Sequence, residues 1–173
     1  MPVALDHLDT LHYDVVDPGA SGVAVVTLDR PQTRNAQNKR MTYELNACFD
    51  DAARRSDVKV IVLQADGPHF CSGHDMRDRE GFTEFELVSA HGGFSREGQE
   101  GHMAFEEEVY LNMCRRWQQL PKPTIAQMHG KTIAGGLMLM WVCDLIVAAE
   151  GAEFIDLTVS FGVNGVEWFG RCN

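Results

Sequence analysis

The chain has 173 residues, a net charge of −10 at pH 7, 45% hydrophobic residues and 23% charged residues. This length and composition are typical of a globular protein with one hydrophobic core, and we expect residues 1–173 to form a single domain. The acidic balance argues against a nucleic-acid surface and against binding to an anionic membrane, although local cations can still hold a phosphate group. The longest apolar run, Gly135–Ala149, is interrupted by Asp144 and is shorter than the ~20 residues that span a bilayer.

The cysteines and the N-terminal segment bear on the cellular compartment. Five cysteines occur at irregular spacing, mostly in apolar segments. An odd number without a regular pattern predicts buried, reduced thiols rather than a disulfide framework. Acidic residues interrupt the N-terminal segment, so no signal peptide is predicted and we expect a cytoplasmic protein.

The first part of the chain predicts strands on both sides of one helix. Leu11–Val16 and Val23–Leu28 alternate as strands, and a turn rich in glycine and proline separates them. Asn38–Ala53 carries apolar residues at helical spacing on one face, with Asn38 as the N-cap. Val58–Ala65 is a short buried strand. This order of strand, helix and strand predicts an α/β fold.

A polar segment and a second helix follow. Arg77–Gly101 is rich in glycine and predicts a loop, with a short helix at Phe82–Val88. Apolar residues then recur every fourth position and predict one continuous amphipathic helix that two prolines end. These residues are Phe105, Val109, Met113 and Trp117.

The remaining predicted elements are short and apolar. Thr124–Met128, Leu145–Ala149 and Glu153–Ile155 predict three strands. Gly135–Val142 predicts a short buried helix between the first two of them.

Three segments place glycine or polar residues directly after an apolar strand: Leu28–Ala36, Phe70–Met76 and His129–Leu137. Two glycine turns can point free backbone N–H groups at one place and so stabilise negative charge on an oxygen. Either turn alone is equally well explained as a tight connection that needs a positive φ. Together, and in this order, the three segments resemble the enoyl-CoA hydratase/isomerase (crotonase) family from about residue 20 to about residue 165.

The resemblance implies the fold and the partners. The expected fold is the crotonase type, an α/β superhelix of ββα units with two nearly perpendicular sheets and surrounding helices. Family members act on acyl-CoA thioesters as homotrimers or hexamers, and no cofactor beyond the CoA moiety of the substrate is expected. Family chains continue with further helices, so this chain resembles a C-terminally truncated member, and we expect an exposed apolar face.

The resemblance also implies an oxyanion hole. Its two donors are the backbone N–H groups of His74 and Gly135. The imidazole of His74 is a second possible catalytic group, because it would lie near the thioester. The more common arrangement is a side chain that points away from the amide that binds the oxygen. A metal site at His69, Cys71, His74 and Asp75 is not expected, because this spacing matches no zinc pattern.

The predicted CoA contacts come from two of the three segments. Arg34 resembles the residue that approaches the CoA nucleotide and is expected to contact a phosphate group. Ala36, Ser72 and Asp75 complete the predicted binding set. Without the family context, Arg34 is equally a solvated arginine at a helix start.

Two other reaction classes are excluded by their motifs. Gly130–Thr132 is similar to the end of a P-loop, but the earlier glycine that a P-loop requires would fall at Ile125. The chain also lacks a Gly-x-Ser-x-Gly segment, so a serine-hydrolase nucleophile is not supported.

Proton transfer is where the chain departs from the family pattern. Family hydratases use two glutamates as base and acid. The resemblance places these positions at Met138 and Thr158, and neither side chain transfers a proton at neutral pH. Other family members place one acid further along, at the position of Val166 in this chain. A shift of one residue would make Glu167 the candidate proton-transfer group, with a surface glutamate as the alternative.

Three hypotheses about function follow. The first is an acyl-CoA enzyme of hydratase/isomerase type that stabilises an enolate, with isomerisation or another single-acid reaction as open as hydration. The second is a catalytically silent acyl-CoA binding protein, which Met138 and Thr158 support. The third is a decarboxylase or thioesterase on the same fold.

Overall fold

The computed structural model describes residues 3–18, 20–78 and 98–162. Seven strands lie in these ranges, and five of them form one sheet in the order β1-β2-β3-β4-β6. The strands are β1 (Leu11–Val16), β2 (Val23–Leu28), β3 (Val60–Ala65), β4 (Thr124–Met128), β5 (Lys131–Ile133), β6 (Leu145–Ala148) and β7 (Glu153–Ile155).

The two sheets differ in strand direction and size. In the large sheet, β1 pairs with β2 in the antiparallel sense, and every later pairing is parallel. The small sheet contains β5 and β7 in a parallel pair. This is the α/β architecture that the strand and helix order predicted.

In chain order, the α-helices of the described residues lie between strands. They are α1 (Lys39–Arg54), α2 (Gln99–Phe105), α3 (Met113–Gln118) and α4 (Gly135–Trp141). A π-helical segment, Glu106–Asn112, joins α2 to α3. Short 3-10 turns occur at Pro31–Thr33 and Thr158–Phe161. The short helix predicted at 82–88 lies outside the described residues.

The N-cap of α1 is confirmed. The side chain of Asn38 accepts a hydrogen bond from the Met41 N–H at 3.0 Å, which satisfies one of the free donors of the first turn. The predicted strands in the N-terminal part are also found, with β3 starting two residues later than expected. Strand β5 was not predicted, because three residues are too few to show a periodic pattern.

The predicted long helix through Phe105 and Trp117 is found, but its middle part is a π-helical segment, and the spacing explains why. In an ideal α-helix, residues four apart are displaced by about 40° around the axis, so the face drifts with each step. The wider turn of the π-helical segment offsets this drift. Val109, Met113 and Trp117 are therefore all buried on one face.

The hydrophobic core lies between the large sheet, α1 and α3. The rings of Phe49 and Trp117 meet edge to face with centroids 5.4 Å apart. The indole N–H of Trp117 donates to Asn46 at 3.2 Å, so its burial leaves no donor unpaired. The four cysteines in the described residues are free and buried, as predicted, and Cys172 lies outside this part.

Exposed apolar side chains lie on β6 and β7. Leu145 and Val147 are each 58% exposed, and Phe154 is 48% exposed. Within the described ranges, this is the apolar surface that the sequence predicted. In the same ranges, no helix combines the length and the apolar character that a membrane crossing requires.

Glu44 provides a test of how the N-terminal segment is attached to α1. Its buried carboxylate accepts hydrogen bonds from the N–H groups of Asp9 and Thr10, each at 3.0 Å. The Glu44→Gln substitution turns an amide NH₂ toward these donors, and we expect a loss of about 1–3 kcal/mol in the free energy of unfolding. Urea unfolding at pH 7 measures the loss. The exposed Glu150→Gln variant is the control, and an equal effect in both variants would contradict this role.

Candidate functional site

The first glycine turn pairs with the segment that follows β2. The N–H of Ser72 donates to the carbonyl of Arg34 at 3.0 Å. The N–H of Gln37 donates to the carbonyl of Gly73 at 2.8 Å, and the N–H of Asp75 donates to the carbonyl of Gln37 at 2.8 Å. Two of the three segments that carry the resemblance therefore run side by side.

The other edge of the same turn pairs with β5. The N–H of Phe70 donates to the carbonyl of His129 at 3.1 Å. The N–H of Cys71 reaches the carbonyl of Lys131 at 3.4 Å, and the N–H of Ile133 donates to the carbonyl of Cys71 at 2.9 Å. Backbone hydrogen bonds thus hold residues 70–75 on both sides.

Asn35 fixes the segment that carries Arg34. It is buried and has a positive φ of 53°. Its side-chain NH₂ donates to the carbonyls of Asp66 at 2.8 Å and His69 at 3.0 Å, and its side-chain oxygen accepts from the Arg30 N–H at 2.8 Å. Asparagine tolerates this left-handed conformation better than most residues, which explains its place in the turn.

The second turn enters α4 through Ala134. This residue has φ 46° and ψ −117°, a conformation that favours glycine and costs an alanine about 1–3 kcal/mol. Two hydrogen bonds hold it: its N–H donates to Ile155 at 3.0 Å, and its carbonyl accepts from Leu137 at 2.8 Å. Gly135 follows as the first residue of α4, where an N–H has no acceptor within its own helix.

The two turns lie nearly in contact. A methyl group added to Gly73 would lie 3.0 Å from the Ile133 oxygen and 3.3 Å from the Gly135 nitrogen. In the part of the chain that the structure describes, neither the His74 N–H nor the Gly135 N–H donates a hydrogen bond to another residue. The structure therefore places the turns that carry these two N–H groups side by side, and their convergence on one ligand oxygen stays a prediction.

The imidazole of His74 is enclosed between Gly135 and Tyr110. Its centroid lies 4.0 Å from that of the Tyr110 ring, at an interplanar angle of 53°. A methyl group on Gly135 would lie 2.8 Å from Nε2, 3.0 Å from Cε1 and 3.1 Å from Cδ2. Because these distances are similar, the face of the ring covers the α-carbon of Gly135. Position 135 has no room for a side chain.

The imidazole of His74 is largely withdrawn from solvent. Its Nε2 atom is buried and has no hydrogen-bond partner among the described residues. Burial lowers the pKa of His74 from 6.5 to about 4, since a charged ring would lose its hydration. Burial also raises the pKa of Tyr110, so its hydroxyl stays protonated. His74 is therefore neutral at pH 7.

A pocket of about 300 Å³ opens beside the first turn. It is lined by Arg34, His69, Ser72, Lys131 and Ile133. Two cationic side chains and a hydroxyl group at one concave surface favour an anionic ligand with phosphate groups. Two of the predicted CoA contacts, Arg34 and Ser72, thus lie in the same pocket.

The other two predicted CoA contacts do not line this pocket. Ala36 is buried, and its carbonyl accepts a hydrogen bond from the guanidinium group of Arg30. The same guanidinium group forms an ion pair with Asp75 at 2.9 Å. In this structure, Ala36 and Asp75 hold the two segments together through Arg30.

The residues considered for a metal site are bound to other groups. Nδ1 of His69 accepts from the Lys131 N–H at 3.2 Å, and the thiol of Cys71 donates to the Asn35 carbonyl at 3.0 Å. Burial raises the pKa of Cys71 to about 11, so this thiol stays protonated at neutral pH. Asp75 is paired with Arg30. In the described ranges these side chains do not converge on one point.

The two hydratase positions carry no carboxyl group. Met138 is buried in α4. The hydroxyl of Thr158 donates to the Asp156 carboxylate at 2.6 Å, and the Thr158 N–H donates to the same oxygen at 3.0 Å. Glu167, the predicted proton-transfer group, lies outside the described residues and stays a prediction.

Sequence reasoning missed three residues of the site. Lys131 was considered only as the end of a P-loop, and His69 only as a metal ligand. Tyr110 belongs to a helix whose apolar residues indicated core packing, and its contact with His74 spans 36 positions of sequence. The three residues of β5 are too few for a local pattern to place Lys131 at the pocket.

Solved structures match the fold of the chain and define it as a protein of the crotonase fold. Two crystal structures described as probable enoyl-CoA hydratases match 93% of the chain with a TM-score of 0.77. The protein from Mycobacterium thermoresistibile is 41% identical, and the chain covers 58% of it. The protein from Mycobacterium smegmatis is 38% identical, and the chain covers 57% of it.

The sequence comparison identifies the family. The family model described as enoyl-CoA hydratase/isomerase matches residues 19–170, and the chain belongs to that family. It is 40% identical over 168 residues to EchA13 of Mycobacterium tuberculosis, whose name marks it provisionally as an enoyl-CoA hydratase. The match covers 93% of this chain and 52% of that protein, so the chain spans about half the length of this curated relative.

The neutral His74 predicts how stability depends on pH. Its folded pKa of about 4 lies below the ordinary value of 6.5, so only the unfolded chain binds this proton between those pH values. The free energy of unfolding therefore falls as the pH drops through this window, by up to about 3 kcal/mol from this residue.

The measurement is urea unfolding at pH 7 and pH 4.5 for the wild-type chain and for His74→Phe. The phenylalanine ring keeps the packing but binds no proton, so we expect a smaller pH effect in the variant. Equal pH effects in the two proteins would contradict the neutral, buried imidazole.

Proposed function

We propose that the chain binds an acyl-CoA thioester and stabilises its enolate, as an enzyme of hydratase/isomerase type. The observation that carries this proposal is the pair of free backbone N–H groups at His74 and Gly135. Donors fixed by backbone pairing need no reorganisation when charge develops on an oxygen, which makes them effective in catalysis. The names of the relatives support the same class of substrate.

The pocket beside the first turn supports a site for the CoA moiety. Arg34 and Lys131 supply positive charge there, and Ser72 supplies a hydroxyl group. Ser72 also lies two residues before His74, so a ligand that occupies the pocket can extend its thioester toward the two N–H groups. Pocket and oxyanion hole then bind two ends of one molecule.

Alanine at position 135 tests the oxyanion hole. Its methyl group would press on the His74 ring and displace the Gly135 N–H, and we expect turnover to fall by 10²–10³, the usual cost of losing one such donor. The carbonyl stretch of a bound ¹³C-labelled thioester should lose its shift to lower frequency. Gly151→Ala is the control: nothing lies within 4 Å of its added methyl group, but its positive φ of 81° strains the alanine, so it can cost stability without touching the His74 ring. Unchanged turnover in Gly135→Ala would refute the proposed hole.

Charge removal tests the CoA pocket. Arg34→Gln and Lys131→Gln should each weaken the binding of free CoA by about tenfold, since hydrogen bonds to charged groups contribute about 1.5–3 kcal/mol. Calorimetry at two salt concentrations should also show a weaker salt dependence in each variant. Arg54→Gln, an exposed residue of α1, is the matched control. Equal affinities in all four proteins would place the CoA elsewhere.

A silent acyl-CoA binding protein is the second candidate function. Met138 and the engaged hydroxyl of Thr158 favour it, because neither exchanges a proton with a substrate. Mass spectrometry of acyl-CoA thioesters incubated in heavy water separates the candidates. Deuterium uptake indicates enolate chemistry, and added water indicates hydration. Loss of carbon dioxide indicates a decarboxylase, release of CoA indicates a thioesterase, and bound but unchanged thioester indicates the silent protein.

We also propose that the complete protein forms a homotrimer or hexamer in the cytoplasm, which is the state that the family resemblance implies. The exposed apolar side chains of β6 and β7 support an interface on that side of the described residues. Light scattering of the purified protein measures the assembly.

A further inference from the structure

We propose that the imidazole of His74 is the proton-transfer group of this site, with its Nε2 atom accepting the proton next to the thioester carbonyl. The inference rests on the proposed function, because it needs a thioester held by the two backbone N–H groups. It assigns to a side chain of the described fold the task that the family gives to glutamates.

The position of Nε2 is the first argument. A methyl group on Gly135 would lie 2.8 Å from this atom. A Cβ lies about 2.5 Å from its own backbone nitrogen, so Nε2 is within about 5 Å of the Gly135 amide. A thioester oxygen bound by that amide brings its α-carbon into the same small volume. The imidazole is therefore next to the atoms that react.

The missing partner of Nε2 is the second argument. Burying a polar atom without a hydrogen bond is unfavourable, and Nε2 is buried with no partner in the described residues. A phenylalanine would fill the space between Tyr110 and Gly135 without this cost. A nitrogen at this place is explained if a group of the bound substrate becomes the missing partner of Nε2.

The fixed orientation of the ring is the third argument. Tyr110 packs against the imidazole at 4.0 Å, and Gly135 leaves room for its other side. A ring held in this way needs little reorientation before proton transfer, which favours reaction once the substrate is bound.

The basicity of the buried ring matches the task. With a pKa of about 4, His74 keeps a free lone pair at neutral pH and has nearly the basicity of a glutamate carboxylate. It is thus a chemical substitute for the carboxylates that are absent at positions 138 and 158.

The reaction balances without a further reactant. The lone pair of Nε2 takes a proton from the α-carbon, the C–H electron pair forms the enolate double bond, and the oxygen charge is held by the N–H groups of His74 and Gly135. The imidazolium then returns the proton. Return to the α-carbon is exchange, and return to the γ-carbon of a β,γ-unsaturated thioester moves the double bond. The expected substrates are therefore β,γ-unsaturated acyl-CoA thioesters.

Exchange of α-protons in heavy water tests this role. We expect His74→Phe to lower the exchange rate by at least about 100-fold, the lower range for acid–base catalysis. Thioester affinity and the carbonyl shift should stay within about threefold, because both N–H donors belong to the backbone. His7→Phe, a change at an exposed histidine, is the matched control.

Chemical rescue separates proton transfer from packing. His74→Ala leaves space between Tyr110 and Gly135, and free imidazole added to this variant should restore part of the exchange. A ring that served only to hold the turn would not be replaced by a soluble base. His74→Gln provides a further variant should His74→Phe fail to fold.

Three results would overturn the inference. One is exchange at the wild-type rate in His74→Phe. Another is loss of exchange in Glu167→Gln while His74→Phe remains active. The third is a wild-type chain that binds the thioester and shifts its carbonyl but exchanges no proton. If the wild-type chain binds no thioester, the proposed function itself is wrong. The binding measurement distinguishes this case from a wrong assignment of His74.

Discussion

The candidate site depends on one constraint, the pairing of residues 70–75 with backbone on both edges. On one side the turn is bound to the segment that contains Arg34, and on the other side to β5. Since both edges are occupied, Gly73 must lie against the second turn, where its α-carbon closely approaches Ile133 and Gly135. The N–H of His74 is then left without a backbone acceptor. The free backbone donor at His74 is thus a result of the pairing of residues 70–75 on both edges.

The same constraint links the pocket to the chemistry. Ser72 belongs to this turn and Lys131 to the paired strand β5, and their side chains line the pocket. His74 follows Ser72 by two residues, and its ring packs against Tyr110. In the proposed function, one short segment therefore serves both the nucleotide end and the thioester end of the ligand. A change in its pairing would disturb both.

Local pattern was enough to predict most strands and the capped helix α1, whereas the two amide donors came from the family resemblance and stay a prediction. The apolar runs of β1 and β2 have a clear period, and the glycines at 73 and 135 mark turns without tertiary information. Local pattern could not predict the cationic side chains of the pocket or the ring contact of Tyr110, because both depend on contacts between residues far apart in sequence. The π-helical segment was missed because a spacing of four is also compatible with a regular helix.

Ala134 has a consequence for how the second turn responds to perturbation. An alanine occupies this backbone conformation only while its two hydrogen bonds compensate for the steric conflict of its methyl group. If either bond breaks, the turn relaxes away from this geometry rather than bending slightly. Glycine at the same place would relieve the conflict but would allow many intermediate geometries. The alanine therefore restricts the turn to fewer backbone conformations than a glycine would. The orientation of the Gly135 N–H, which follows directly, is restricted in the same way.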